Sequence, residues 1–130
     1  MIVVDASVLV DLLRRFEDRG AIENRLLRGD ENLHAPHLVD LEITHALRRF
    51  VLIGDMPPAR AEEALEDLAD IRIDRYPHSV LLPRIWELRD SLTAYDAAYV
   101  ALAEALEAPL VTRDARLART RGHRARIELI

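Results

Sequence analysis

The sequence predicts an α/β fold with a parallel sheet, and two observations lead to this prediction. Short apolar runs alternate along the chain with longer segments in which apolar residues recur at helical spacing, as in proteins built from β–α–β units. The chain has 130 residues, the size of one domain, and neither a linker nor an internal repeat divides it. We therefore expect residues 1–130 to form a single α/β domain.

Five short segments are predicted to be strands. Residues 1–4 form an apolar run rich in β-branched residues, which is typical of a buried strand. The segment IRIDRYP alternates apolar and polar residues, so we expect one solvated face there. The predicted strands are residues 1–4, 32–36, 71–77, 108–112 and 127–130.

The segments between these strands carry helical repeats. The clearest is residues 38–53, where Val39, Ile43 and Leu47 fall on one face. Pro83 disfavours a regular start for the helix predicted around it. The predicted helices are residues 6–15, 17–29, 38–53, 58–70, 79–91, 94–107 and 115–120.

The composition excludes several classes of function. The chain has no cysteine, which excludes disulfides and thiolate metal sites. All 18 basic residues are arginine, so chemistry that requires a lysine is excluded as well. The N-terminal apolar run lacks a basic segment, and no stretch is long enough to cross a bilayer. We therefore expect a cytoplasmic protein that does not enter membranes.

The basic residues are concentrated near the C-terminus. The net charge of −5 does not favour nucleic-acid binding, yet six arginines lie in residues 113–126 with one acid among them. A locally basic segment on an acidic protein can bind phosphate, and Arg113, Arg116 and Arg119 are the candidates for this contact. A solvated helix face explains the same pattern, and the sequence does not decide between the two.

Four acidic residues fall at strand exits or helix entries. Asp5 follows the first strand, and Asp114 comes two residues after the strand that ends in PLVT. Asp96 begins the helix that precedes this strand, and Glu42 lies in the first turns of helix 38–53. Because binding sites of parallel sheets form outside the carboxyl ends of their strands, one edge of the sheet could gather all four.

Structural roles explain each acid taken alone. Asp5 and Asp114 could cap the helices that follow them, and Thr93 with Asp96 has the spacing of a capping box. Glu42 could be a surface acid near a helix N-terminus, although it lies beside the apolar stripe and is therefore expected to be partly buried. A partly buried acid needs a partner, and a cation would serve.

If the acids converge, their chemistry follows from their oxygens. Carboxylates without nitrogen or sulfur ligands suit Mg²⁺ or Mn²⁺, and like charges this close need a cation between them. Such ions bind phosphate oxygens and activate water for phosphodiester hydrolysis. Ser7 could add a hydroxyl contact near Asp5.

Three motifs follow one another along the chain: VVDASVLVDLL, LEITHALRR and LTAYDAAYVALAEALEAPLVTRDARLA. In this order they resemble the PIN-domain ribonucleases, and most of all the VapC toxins of bacterial toxin–antitoxin pairs. The resemblance covers the whole chain. It implies a PIN-like three-layer α/β/α sandwich around a parallel sheet of about five strands. It also implies a Mg²⁺- or Mn²⁺-dependent endoribonuclease that cleaves RNA with metal-activated water.

The resemblance also assigns roles to individual residues. Asp5 and Asp96 would hold the main metal, Glu42 would position a metal-bound water or the metal itself, and Asp114 would be a further ligand at a position where related proteins vary. Ser7 and Thr112 match small polar residues that support these acids in the family. The resemblance further implies a homodimer and a VapB-type antitoxin whose C-terminal segment blocks the acidic pocket.

Parts of this pattern also occur in other classes of protein. Receiver domains and haloacid-dehalogenase-type phosphatases also place acids at strand ends, but both need a lysine. Glu42 and His45 have the spacing of a di-iron site, which requires a second such pair on long helices, and His34 with His37 lacks further zinc ligands. The remaining alternative is a non-catalytic α/β binding module that regulates a partner protein and whose acids are only caps.

Overall fold

The protein contains a five-stranded sheet in which every pair of neighbouring strands is parallel. We describe it from a computed structural model that covers residues 1–14, 19–27 and 31–130. The strand order is β3-β2-β1-β4-β5, which confirms the predicted fold class. The strands are β1 (Ile2–Val4), β2 (Leu33–Pro36), β3 (Ile73–Tyr76), β4 (Leu110–Thr112) and β5 (Ile127–Leu129).

Burial follows the position of each strand in the sheet. All residues of β1 and β4, which lie at the centre, are buried, because helices cover parallel strands on both faces. The edge strand β3 buries Ile73 but exposes Asp74, as its alternating sequence predicts. The core therefore surrounds β1 and β4, the two strands that precede Asp5 and Asp114.

Helices form a layer on each side of the sheet. Helices α1 to α4 contact one another, and α5 packs against α6 together with a short 3-10 helix at Ser79–Leu81. No helix in the described residues is long and apolar enough to cross a lipid bilayer. The helices are α1 (Ala6–Leu13), α2 (Arg19–Leu26), α3 (Leu38–Leu52), α4 (Pro58–Asp70), α5 (Leu82–Glu87), α6 (Ala94–Leu106) and α7 (Ala115–Arg119).

Most predicted helices agree with the structure to within two residues at each end, but one differs more. The helix predicted for residues 79–91 is divided, because Pro83 is tolerated only in the first turn of a helix and α5 therefore starts at Leu82. It also ends at Glu87, and residues 88–91 form turns. The ends of the helix predicted for residues 17–29 lie outside the described residues.

The strand order creates one crevice at the carboxyl end of the sheet. From β1 the chain builds outward through β2 to β3, then returns across the sheet to β4 on the other side of β1. Adjacent strands whose connections leave in opposite directions form the switch point of such a sheet, where ligands bind. Here the switch point lies between β1 and β4, so Asp5 and Thr112 are at its mouth.

Candidate metal centre at the switch point of the sheet

Asp5 is held in place by two hydroxyl groups. Its side chain is buried at the end of β1, and its Oδ2 atom accepts hydrogen bonds from Ser7 Oγ and from Thr112 Oγ1, the latter at 2.8 Å. Ser7 is two residues along the chain in α1, whereas Thr112 is the last residue of the neighbouring strand β4. Parallel pairing of β1 with β4 thus brings the three side chains together.

The two hydroxyls are themselves oriented by the backbone. The N–H of Arg113 donates to Ser7 Oγ at 3.0 Å, and the N–H of Asp114 donates to Thr112 Oγ1 at 3.0 Å. Because each hydroxyl oxygen accepts a backbone N–H, its own proton is directed to Asp5. Both protons go to Oδ2, which leaves Oδ1 of Asp5 as the oxygen for a ligand outside the chain.

Asp5 and Asp114 differ in whether they cap a helix. Asp5 occupies the N-cap position of α1, but its carboxylate makes no capping hydrogen bond. Asp114 does cap α7, because its Oδ1 accepts from the N–H of Arg116 at 2.8 Å and from the N–H of Leu117 at 3.4 Å. The capping alternative therefore holds for Asp114 and fails for Asp5.

Glu42 is half-buried, and no basic side chain is among the groups that shift its pKa. It lies on α3 beside the buried residues Val39 and Ile43, as its place next to the apolar stripe predicts. Burial raises the pKa of Glu42, the Tyr99 hydroxyl lowers it by a smaller amount, and the negative charges of Asp5 and Asp96 add smaller increases, so that the pKa is about 7. Its Oε1 atom is buried without a hydrogen-bond partner in the described part of the chain.

Asp96 completes this group from the first turn of α6. The Thr93 hydroxyl caps α6 by accepting from the N–H of Asp96 at 3.1 Å, so Thr93 fulfils half of the predicted capping box. Burial raises the pKa of Asp96, and the charges of Asp5 and Asp114 raise it further. The charge of Asp5 raises the pKa of Asp96, and the charges of Asp5 and Asp96 raise the pKa of Glu42. The three carboxyls therefore share one electrostatic environment.

Asp114 lies at the rim of this environment. Burial tends to raise the pKa of Asp114, but hydrogen bonds from the Arg116 guanidinium and from the backbone lower it below its usual value. Arg116 Nη2 lies 3.2 Å from Asp114 Oδ2 and is itself largely exposed. Asp114 is thus already satisfied by the chain, in contrast to Glu42.

The donor set fits a hard divalent cation. The group offers only carboxylate and hydroxyl oxygens, it concentrates negative charge, and it contains the unpartnered buried Oε1 of Glu42. Within the described ranges, no three Asp, Glu, His or Cys side chains are close enough to enclose a cation. A bound cation would therefore draw the repelling carboxylates closer together.

The remaining candidate residues lie apart from this group or at its edge. Arg113 forms an ion pair with Asp11 at 2.9 Å, whereas Arg116 and Arg119 are exposed. His34 is buried on β2 with Nδ1 2.7 Å from the Tyr76 hydroxyl. The exposed His37 and His45 complete no cluster of metal ligands in the described residues.

Sequence reasoning missed one residue of the site, Tyr99. It lies on α6, is fully buried, and its hydroxyl contributes to the pKa of Glu42. Its apolar surroundings and helical spacing mark it only as a core residue. The signal that could have found it is its position one helical turn after Asp96, on the same face.

A family model described as PIN domain matches residues 2–123 of the chain. The chain belongs to the PIN-domain family. Within that family, it is 45% identical over 129 residues to Ribonuclease VapC1 of Mycobacterium tuberculosis strain H37Rv, covering 98% of this chain and 96% of that protein. It is 48% identical over 120 residues to VapC ribonuclease Mb0985 of Mycobacterium bovis, covering 92% and 91%. The predicted family is confirmed.

A solved structure supports the same fold for this PIN domain. VapBC2 from Rickettsia felis, bound to a DNA fragment from its promoter, superposes with a TM-score of 0.72 at 16% identity and covers 100% of this chain and 99% of that chain. At this identity the likeness concerns the fold alone. It confirms the three-layer arrangement around the parallel sheet.

Proposed function

We propose that this PIN-domain protein is the toxin of a toxin–antitoxin pair and acts in the cytoplasm as an endoribonuclease that depends on Mg²⁺ or Mn²⁺. One observation carries the proposal: Asp5, Glu42 and Asp96 share an electrostatic environment at the switch point of the sheet, and Asp5 is oriented there by two hydroxyls. Relatives named ribonuclease VapC, at 45% and 48% identity, support the choice of RNA as substrate.

Asp5 and Asp96 would hold the cation, with Asp114 as a further ligand at the rim. When bound, the cation supplies positive charge to a phosphate oxygen of the RNA and lowers the pKa of a nearby water. Ser7 and Thr112 keep Asp5 Oδ2 engaged, so Oδ1 is the oxygen that Asp5 would offer to the cation. Asp114 has to share its carboxylate with Arg116 and with the first turn of α7.

Glu42 is the residue best suited to accept a proton from the attacking water. A general base works best when its pKa lies near the working pH, and burial together with two neighbouring acids brings the pKa of Glu42 to about 7. The Glu42 carboxylate would take the proton. Water would then attack phosphorus and the 3′ oxygen would leave, giving a 5′-phosphate.

The arginines of α7 would contact the RNA backbone around this centre. Arg116 is 86% exposed and lies beside Asp114, at the rim of the acidic group. Arg119 is exposed on the same helix. Both can turn toward phosphates, whereas the partly buried Arg113 is committed to Asp11.

Exposed apolar side chains next to the acidic group support two protein partners. A groove of about 650 Å³ runs along α3 from Glu42, and the side chains at its border include Leu41 and Tyr95, which are 74% and 67% exposed. Trp86 on α5 is 68% exposed as well and borders a separate groove of about 380 Å³. We propose that a second copy of the chain and the C-terminal segment of a VapB-type antitoxin cover these two surfaces, the latter reaching the acidic pocket.

The central test is a cleavage assay with purified protein and RNA. We expect internal cleavage in Mg²⁺ or Mn²⁺, loss of cleavage in chelator, and products with a 5′-phosphate. Sequencing of RNA ends after brief induction would identify the substrate. Products with a 2′,3′-cyclic phosphate or full activity in chelator would exclude this mechanism, and the lack of any cleavage would favour a non-catalytic binding module.

The partners are tested separately. Sedimentation at micromolar concentration should give a homodimer, and Trp86→Ser with Leu41→Ser should shift it to a monomer. Expression of the toxin alone should arrest growth, and co-expression of the product of an adjacent small gene should relieve the arrest. A monomeric parent contradicts the dimer, and harmless expression of the parent contradicts the role as a toxin.

A further inference from the structure

Tyr99 combines complete burial with a polar atom that lacks a regular partner. Its side chain has no exposed surface and is the largest of the fully buried side chains in the core. In the part of the chain that the structure describes, its hydroxyl and Oε1 of Glu42 are both buried without a hydrogen bond of good geometry. A buried hydroxyl without a partner is unfavourable, so a phenylalanine would suit a purely structural position better.

The groups around the hydroxyl belong to the acidic centre. Burial raises the pKa of the Tyr99 phenol, and the charges of Glu42 and Asp5 raise it further, so both acids lie near the hydroxyl. Tyr99 is three residues after Asp96 in α6, and residues at this spacing lie on one helix face. The helix that carries Asp96 therefore also carries a buried hydroxyl close to Glu42.

We propose that Tyr99 is a positioning residue for Glu42, an inference that rests on the proposed function. In the active protein the phenol would donate its proton to one oxygen of the Glu42 carboxyl and would hold that carboxyl at a fixed place relative to Asp96. A single rigid helix thereby sets the places of two acids that come from distant parts of the chain. Residues that orient metal ligands or their neighbours through hydrogen bonds affect affinity and activity without contacting the metal.

The test compares tyrosine hydroxyls in the full-length protein. Tyr99→Phe removes one buried oxygen and keeps the ring, and we expect Mn²⁺ affinity, measured by calorimetric titration, to fall by about 10-fold. Cleavage should fall through kcat, with KM for RNA little changed. The matched control is Tyr76→Phe, which removes the hydroxyl that contacts His34, away from the acids, and should leave both quantities unchanged.

A double-mutant cycle separates positioning from packing. If the hydroxyl acts through Glu42, adding Tyr99→Phe to Glu42→Gln should change Mn²⁺ affinity by less than about 2-fold, since residues that act through one another are not additive. Effects that multiply in the double variant would overturn the inference, as would a Tyr99→Phe variant that binds Mn²⁺ like the parent.

A second measurement does not depend on the Tyr99 variant. In protein labelled with ¹³C at the tyrosine Cζ, the Tyr99 resonance should shift when Glu42 is changed to Gln, while the Tyr76 resonance stays in place. An unmoved Tyr99 resonance contradicts the contact. If the unmodified protein binds Mn²⁺ and cleaves RNA but these tests fail, only the role of Tyr99 is contradicted. If the unmodified protein neither binds Mn²⁺ nor cleaves RNA, the proposed function is contradicted together with the role of Tyr99.

Discussion

Two glutamates of this protein are at least half-buried, and their surroundings differ in charge. Glu104 on α6 has a side chain that is 5% exposed, and Arg84 donates to both of its oxygens at 2.7 and 3.0 Å. The backbone N–H of Arg124 adds a third hydrogen bond at 2.7 Å. The Arg84 guanidinium keeps the pKa of Glu104 below its usual value, whereas burial raises that of Glu42 to about 7.

The difference shows which carboxyl the fold completes by itself. Glu104 receives all its partners from the chain and fastens α5 and the C-terminal segment to α6. Glu42 has two further acids as neighbours in place of an arginine, an arrangement that stores repulsion in the folded state. Such an arrangement is typical of sites whose missing positive charge comes from a ligand. Each prediction below tests or sharpens this contrast.

The largest effect is expected from Asp5→Asn and Asp96→Asn. Asn keeps the size of Asp but lacks the charge that would hold a cation, so RNA cleavage should fall by roughly 10²–10³-fold. The control is Asp74→Asn on the exposed part of β3, which should cleave like the parent. Cleavage by either site variant at the parental rate would mean that these acids do not form the active site.

The supporting hydroxyls come next. Ser7→Ala and Thr112→Val each remove one of the hydrogen bonds to Asp5, and changes in such supporting residues lower metal affinity or activity by about 10–100-fold. Titration with Mn²⁺ and a cleavage assay measure both. Thr44→Val, which removes a hydroxyl bound only to the Asp40 carbonyl in α3, should match the parent. Unchanged Mn²⁺ affinity in both site variants would contradict the role given to these hydroxyls.

Isosteric changes at the two glutamates should alter stability in opposite directions. Glu104→Gln weakens charge-assisted hydrogen bonds, so the free energy of unfolding should fall by about 1.5–3 kcal/mol. Glu42→Gln removes repulsion with Asp5 and Asp96, so the metal-free variant should gain roughly 0.5–2 kcal/mol at pH 7.5. Denaturant unfolding in chelator measures both. A loss of stability in Glu42→Gln would show that Glu42 is satisfied in the metal-free fold.

The same pair predicts opposite dependences on pH. With its pKa raised from 4.5 to about 7, Glu42 binds its proton more tightly in the folded state. Metal-free stability should therefore decrease as the pH rises from about 4.5 to 7, and Glu42→Gln should reduce this slope. Glu104 has a lowered pKa, so its carboxylate stabilises the folded state above the usual pKa of a glutamate. This stabilisation should be lost as the pH falls below that usual pKa and the carboxylate is protonated. Chemical unfolding between pH 3.5 and 8 tests both slopes.

The sequence predicted most of the fold because its elements are locally encoded. The apolar run at residues 2–4 and the repeat of α3 define a buried strand and an amphipathic helix without reference to the rest of the chain. The division around Pro83 was harder to predict, because a proline in the first turn of a helix and a proline inside one share the same local pattern.

The places of the candidate site residues in the fold could be predicted from the sequence, but their contacts could not. Asp5, Glu42 and Asp96 could be selected by their places at strand exits and helix entries. Asp114 caps α7 through the nearby N–H groups of Arg116 and Leu117. Asp5 makes no such cap, and the pairing of β1 with β4 instead brings its carboxylate to the Thr112 hydroxyl. Tyr99 stayed hidden because the sequence does not show whether a buried hydroxyl faces apolar groups or acids.

The smallest effects are expected from the arginines. As with the two glutamates, one of them is paired within the chain and others are exposed to a ligand. Arg113 pairs with Asp11 and donates to the carbonyl of Ile130 at 3.3 Å, so Arg113→Ala should mainly lower stability. Arg116 and Arg119 are exposed, and each phosphate contact adds about −0.7 to the slope of log affinity against log salt for single-stranded RNA. Changing both arginines to Ala should therefore make the slope of log affinity against log salt less negative, by up to twice the value for one phosphate contact.

This measurement needs a state in which RNA binds but is not cut. Binding should be followed by fluorescence anisotropy between 50 and 300 mM salt (roughly the range over which such slopes are resolved), with Asp96→Asn as the common background. Arg48→Ala on the exposed side of α3 serves as the control for a lost positive charge elsewhere. If Arg116→Ala with Arg119→Ala lowers the slope no more than Arg48→Ala does, the arginines of α7 belong to a solvated face or to a protein interface. A specific decrease would place the RNA backbone along α7, beside the one acid of the site that the chain already satisfies.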